Sequence, residues 1–171
     1  MSQLLPIQFA ECVEFVIPEF DTRPAISLSF NNIAEGEGRL VEARAVNGGT
    51  YSDLEYCFNE GYREAKKNLS IVGYELAQAN KILRKFKSEY LIDEYPDFLK
   101  EKKIKDSASI REAFLERQKD YVSARDRIDM LNALFFLLEG KIKVFENVCR
   151  YMKKEMDILI RSGCTGNKYI R

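Results

Sequence analysis

The sequence predicts a mainly α chain built on a long antiparallel helical hairpin, coiled-coil-like, with a small N-terminal β-hairpin or arm. Three observations predict it. Two long stretches place apolar residues at alternating steps of three and four, the period of paired helices. A proline and a charged segment separate them, and a short stretch of strict alternation precedes both. On this reading residues 1–50 are the hairpin or arm, 51–162 the two-helix antiparallel coiled coil and 163–171 a C-terminal tail.

Within the first 50 residues, "AISLSF" alternates Ile26, Leu28 and Phe30 with polar positions, and "NNIAEGEG" supplies turn residues. "RLVEARAV" is read as the returning strand. The alternative is an extended arm that packs Phe9, Phe15, Ile17 and Phe20 on its own helices or on a neighbour's.

The first long helix opens near Ser52, placed to cap toward Glu55. Its seam runs Phe58, Tyr62, Ala65, Leu69, Val72, Leu76, Ala79, Leu83, Phe86 and Tyr90. Pro96 is expected to end it, since proline lacks an N–H and disfavours helix at the residue before it. "PDFLKEKKIKDS" then serves as a basic connector.

The second helix is expected to start near Ser107 or Ser109, with Ser109 and Glu112 as a capping box, and to run unbroken to "SGCTG". There Gly163 and Gly166 suit a left-handed cap. Its seam is Tyr121, Ala124, Ile128, Leu131, Phe135, Leu138, Ile142, Phe145, Cys149, Met152, Met156 and Leu159. At 1.5 Å per residue the two arms span roughly 60 to 75 Å. Phe136, Leu137, Val144 and Val148 lie off the seam and widen the apolar surface, which calls for the N-terminal hairpin or another protomer. Gly140 costs on the order of 1 kcal/mol in a helix relative to alanine, and the intact flanking register favours close approach of another helix there.

Composition narrows the chemistry. The chain has 171 residues, 46% hydrophobic, with 27 basic against 27 acidic side chains. Residues 1–50 hold 3 of the basic and 7 of the acidic ones, which leaves 24 against 20 beyond them: an acidic head before a basic body. The four cysteines, Cys12, Cys57, Cys149 and Cys164, form no C-x-x-C pair and read as reduced thiols of a cytoplasmic protein. Acidic residues interrupt the apolar N-terminus, a poor signal peptide, and "LFFLL" is far too short to span a membrane. With no histidine, Ser-His-Asp and Cys-His catalysis are excluded, and no glycine-rich phosphate loop is present. The carboxylate pairs Glu11 and Glu14, Glu94 and Asp97, and Asp126 and Asp129 are the remaining metal-ligand spacings; solvated helix faces explain them better. A non-enzymatic protein without cofactor or metal is expected.

The basic residues are better organised. On the first helix Arg63, Lys67, Tyr74, Lys81 and Lys85 recur at helical spacing off the apolar seam, with Arg84 beside them. Lys102 and Lys103 belong to the connector, and Lys143, Arg150 and Lys154 form a similar row on the second helix. Spaced cations track a phosphate backbone by releasing counterions, and an exposed tyrosine stacks on an unpaired base. The competing reading is a solubilising face whose cations pair with Glu64, Glu75, Glu89 or a neighbour's acidic head.

The lysine-rich first helix "YREAKKNLSIVGYELAQANKILRKFKSEYL", the basic connector and a second helix of the type "REAFLERQKDYVSARDRIDMLNALFFLLEGKIKVFE" resemble the small helical recombination mediators of bacteriophages, the UvsY-like proteins. The resemblance covers roughly residues 51–160 and is one of pattern. It implies helical hairpins that assemble into a ring-like homo-oligomer, bind single-stranded DNA and help a recombinase displace a single-strand-binding protein. The alternatives are a structural or chaperone-like phage protein whose basic rows bind protein, or a host-nuclease inhibitor.

Overall fold

The computed structural model describes residues 13–163, of which 76% are helical. Strands β1 (Glu14–Ile17) and β2 (Ile26–Ser29) are followed by helix α1 (Asn31–Gly38) and a 3-10 turn at Glu42–Ala45. Two long helices, α2 (Tyr51–Glu89) and α5 (Lys119–Arg161), carry most of the chain. Between them lie a π turn (Tyr90–Glu94), α3 (Tyr95–Lys102) and α4 (Ala108–Leu115). Contacts gather the chain into two units, one formed by residues up to Ser70 and from Phe136, the other by Ile71–Phe135.

The first unit contains the small antiparallel hairpin, but its strands differ from those the alternation suggested. β2 pairs with β1, Phe15 opposite Leu28 and Ile17 opposite Ile26. The segment 31–46, expected to turn and return as a strand, is instead helical over most of its length. Ile33 and Gly36 on α1 and Ala43 on the 3-10 turn recur at helical intervals, and all are buried. The hairpin also packs inward as the arm reading proposed: Phe15, Ile17, Leu28 and Phe30 are buried, and Phe20 is half-buried. Phe9 lies outside the described residues.

Polar clamps fix this cap on the long helices. Glu64 of α2 accepts bonds from Ser29 Oγ (2.8 Å) and the Ile33 N–H (3.0 Å), and Asn68 Nδ2 donates to the Ser29 carbonyl at 2.6 Å. Lys141 of α5 bonds Glu37, and Arg39 bridges Glu42 and Asp53. Two glycines permit closest approach: a Cβ on Gly36 would stand 2.7 Å from Phe145 Cε1, and one on Gly61 would stand 2.8 Å from Phe145 Cζ and 3.0 Å from the Asn32 carbonyl oxygen. Phe145 meets Phe58 at 6.3 Å between ring centroids. The two helices run antiparallel here, since the Tyr51 end of α2 faces Cys149 and Asp157 whereas Phe58 and Gly61 face Phe145.

In the second unit the long helices are antiparallel as well: Gly73 approaches Phe135, Glu75 bonds Arg127, and Tyr90 Oη bonds Asp120 at 3.2 Å. Tyr95, Phe114 and Leu115 form a buried cluster with Phe98, Leu99 and Ile110 packed on it. Ring centroids lie 5.2 Å apart for Tyr95 and Phe114, within the attractive range of aromatic pairs. Tyr95 Oη donates to Asp106, which also receives the Arg111 guanidinium.

Several helix ends depart from expectation. α2 begins at Tyr51 rather than Ser52, because Asn47 Oδ1 accepts from the N–H groups of Gly49 and Thr50 and the Thr50 carbonyl receives Leu54 N–H. Pro96 does not end a helix. It sits in the first turn of α3, where no intrahelical N–H bond is needed. The cap of α4 is Ser107, which accepts from Ile110 N–H, in place of the Ser109 and Glu112 box. The second long helix is also interrupted, α4 stopping at Leu115 and α5 starting at Lys119. A continuous helix would carry Arg117 on the apolar seam; the break lets Phe114 and Leu115 turn into the Tyr95 cluster. At the far end α5 closes at Arg161 and Gly163 is left-handed (φ 67°), as its position predicted.

The buried seam of α2 is displaced too. Leu54, Phe58, Gly61, Ala65, Asn68, Val72, Glu75 and Ala79 are buried, whereas Tyr62, Leu69 and Leu76 are half-buried. The period is the expected one, but three of its positions move one residue toward the N-terminus and take in two polar side chains. Gly140 is corrected as well: it is exposed, and a Cβ there would meet nothing within 4 Å.

Candidate nucleic-acid interface

All eleven residues expected to contact nucleic acid are exposed, for the residue patterns that put apolar side chains inward leave these outward. The structure distributes them over both units. Arg63, Lys67, Lys143, Arg150 and Lys154 belong to the first; Tyr74, Lys81, Arg84, Lys85, Lys102 and Lys103 belong to the second.

In the first unit, α2 and α5 flank an open groove of 380 Å³ lined by Asn59, Tyr62, Phe145, Glu146, Cys149, Arg150 and Lys153. Lys66 lies one turn beyond Tyr62 on α2, its Nζ 5.5 Å from the ring centroid, a cation–π distance. The groove therefore presents the Tyr62 ring with two cations, Arg150 and Lys153, and one carboxylate, Glu146, and Lys66 adds a third cation over that ring. Sequence reasoning misses Tyr62, Lys66 and Lys153 because Tyr62 occupies a seam position, which reads as core. Its half-burial is the signal that separates it from the core residues Phe58 and Ala65. Burial first, then the nearby Glu55, pushes the Cys149 thiol above its usual range. Burial, reinforced by a 3.0 Å bond to Glu55, raises the Tyr51 hydroxyl to about 12.

In the second unit Tyr74 is 55% exposed on α2, ahead of Lys81, Arg84 and Lys85 on the same helix. Lys85 has only a loose contact with Glu89, at 3.8 Å. Lys102 ends α3 with an ion pair to the adjacent Glu101, and Lys103 takes the left-handed position after it (φ 52°).

The acids proposed to neutralise these rows are mostly engaged elsewhere. Glu64 holds Ser29 and Ile33, Glu75 holds Arg127, and only Glu89 reaches a cation of the row. Arg63 instead pairs with Glu60 at 2.6 Å. Among the described residues no group of three or more metal-ligating side chains comes together; Glu14 bonds Ser27, Asp97 bonds Lys100, and Glu11 lies outside those residues. No helix is long and apolar enough to cross a membrane among the described residues.

The chain shows no match to protein-family models, to curated proteins or to solved structures. Its reading therefore rests on its own residues.

Proposed function

We propose that the chain is a non-enzymatic, phage-type accessory protein of DNA recombination that self-associates and binds single-stranded DNA, assisting a recombinase against a single-strand-binding protein. The observation that carries the DNA-binding part is the first-unit groove, in which Tyr62, Arg150 and Lys153 combine an aromatic ring with cations, Lys66 standing over that ring. Single-strand binders use that combination, cations following the phosphates while a base stacks on the ring, and it needs no sequence-specific hydrogen bonds. The exposed row of Tyr74, Lys81, Arg84 and Lys85 offers the same chemistry in the second unit. The recombination role comes from the UvsY-like pattern of residues 51–160.

The test is fluorescence anisotropy of a labelled oligonucleotide with Tyr62→Ala and Tyr74→Ala. A stacked tyrosine should cost roughly 1 to 3 kcal/mol of binding when removed, while the salt dependence stays unchanged. Unaltered affinity in both variants would remove the stacking part of the reading. A wild type that does not bind the oligonucleotide would favour the alternative in which these rows bind protein, as in a structural or chaperone-like phage protein.

A further inference from the structure

The outer face of α5 carries exposed apolar side chains. Val144, Tyr151 and Ile158 are 38, 41 and 50% exposed, and they share one face of the helix with Gly140, where an added Cβ would meet nothing beyond its own helix backbone within 4 Å. Alongside runs a row of charges at steps of four and three: Glu139, Lys143, Glu146, then Lys154, Asp157 and Arg161, with Arg150 at its centre. Several neighbours in this row are four apart, a spacing that closes ion pairs within a helix. None does so. Elsewhere the protein pairs its charges freely, yet no member of this row forms an ion pair among the described residues.

The order of the signs decides what fits. Reversed about Arg150, the row is complementary to itself: Glu139 falls opposite Arg161, Lys143 opposite Asp157, and Glu146 opposite Lys154. We propose that this face of α5 is an isologous interface at which a second copy of the chain packs its own α5 antiparallel, with the two-fold axis at Arg150. A two-fold contact requires a surface complementary to its own reversal, and the charge row has that property. The same operation sets the second copy's Ile158 between Gly140 and Val144, where the missing Cβ leaves space. It thereby supplies the close approach that Gly140 lacks within its own chain. At the axis the two Arg150 side chains lean toward the N-termini of their own helices and so diverge, each lining its own groove beside Tyr62 and Lys153. Lys143 and Lys154 then serve the interface, and Arg150 remains with the groove.

This inference rests on the self-association proposed above and is independent of DNA binding. The test is sedimentation velocity of the full chain at low salt with Lys143→Glu, Asp157→Lys and the double variant. Each single change sets like charges together at two symmetric places and should weaken dimerisation by about 3- to 10-fold per broken pair. The double variant restores opposite charges at both places and should recover the wild-type association. Residues 143 and 157 are ~21 Å apart along the helix, so recovery cannot arise within one chain. Glu139→Arg with Arg161→Glu forms a second, independent swap. Self-association that is unchanged by all of these variants, or lost in the singles without recovery in both doubles, would overturn the interface and leave self-association standing. A monomeric wild type would overturn both.

Discussion

Glu75 and Arg127 form an ion pair in the interior, Arg127 Nη2 standing 3.3 Å from Glu75 Oε2 with side chains 5% and 1% exposed. The pair couples α2 to α5 in the second unit at a level where both seams would otherwise be apolar. Removing one partner strands the other charge out of water, whereas removing both leaves an ordinary hydrophobic contact. We therefore expect Glu75→Leu or Arg127→Leu alone to lower stability by ~3 to 5 kcal/mol, and the double variant to lie much nearer wild type. Urea unfolding of the four proteins measures this, and additive losses would contradict it.

Gly61 of α2 and Gly140 of α5 should respond in opposite senses. Gly61→Ala drives a methyl against Phe145 and the Asn32 carbonyl oxygen, a backbone atom that cannot step aside. A loss of ~1 to 3 kcal/mol is expected from such overpacking. Gly140→Ala meets nothing in its own chain and should raise stability by about 1 kcal/mol, measured below the concentration at which the chain associates. Equal effects at the two positions would contradict the packing described.

These two sites also show how much of the fold was legible. The helical period, strand β2 and the exposure of every basic residue in the rows follow from apolar spacing, whereas β1, α1 and the 3-10 turn do not. Hydrophobicity alone could not choose between Tyr62, Leu69 and Leu76 and the adjacent Gly61, Asn68 and Glu75. The chain buries the latter because Gly61 admits Phe145, Asn68 reaches the Ser29 carbonyl and Glu75 finds Arg127. Those partners are distant in sequence and leave no local periodic trace. The candidate interface was half legible for the same reason: its lysines and Tyr74 were visible as a row, while the groove around Tyr62 required α5 to be set beside it.

Asp106 gives a pH signature. The Arg111 guanidinium, and then the Tyr95 hydroxyl, hold its carboxyl below the usual value of 3.8. The unfolded chain thus takes up the proton first as pH falls, so the stabilisation is fully present above the usual carboxylate range and is lost through the folded-state value. Asp106→Asn should melt below wild type at neutral pH, and the gap should narrow as pH drops below 3.8. Thermal melts of both proteins across about pH 2 to 7 test this; a gap that is constant with pH would contradict it.

Cys149 reports on the groove directly. Burial holds its thiol above the usual value of 9.0, so alkylation should be slow near neutrality and accelerate only at higher pH. In a Cys12→Ser, Cys164→Ser background, with Cys57 buried, bound single-stranded oligonucleotide should slow that labelling further. Undiminished labelling at saturating oligonucleotide would place DNA away from Tyr62 and Arg150.

The most direct measurement of the central claim is the salt dependence of single-strand binding by wild type and by the triple variant Lys81→Ala, Arg84→Ala, Lys85→Ala. Cations that neutralise phosphates release counterions, so log affinity should fall linearly with log salt for wild type, about equally across sequences. The triple variant should bind more weakly with a shallower slope, by ~0.7 for each phosphate no longer neutralised. Helicity and assembly size should remain unchanged, since all three side chains are exposed. Wild type that shows no salt-sensitive affinity for single strands, or a triple variant that binds as well as wild type with the same slope, would contradict the account.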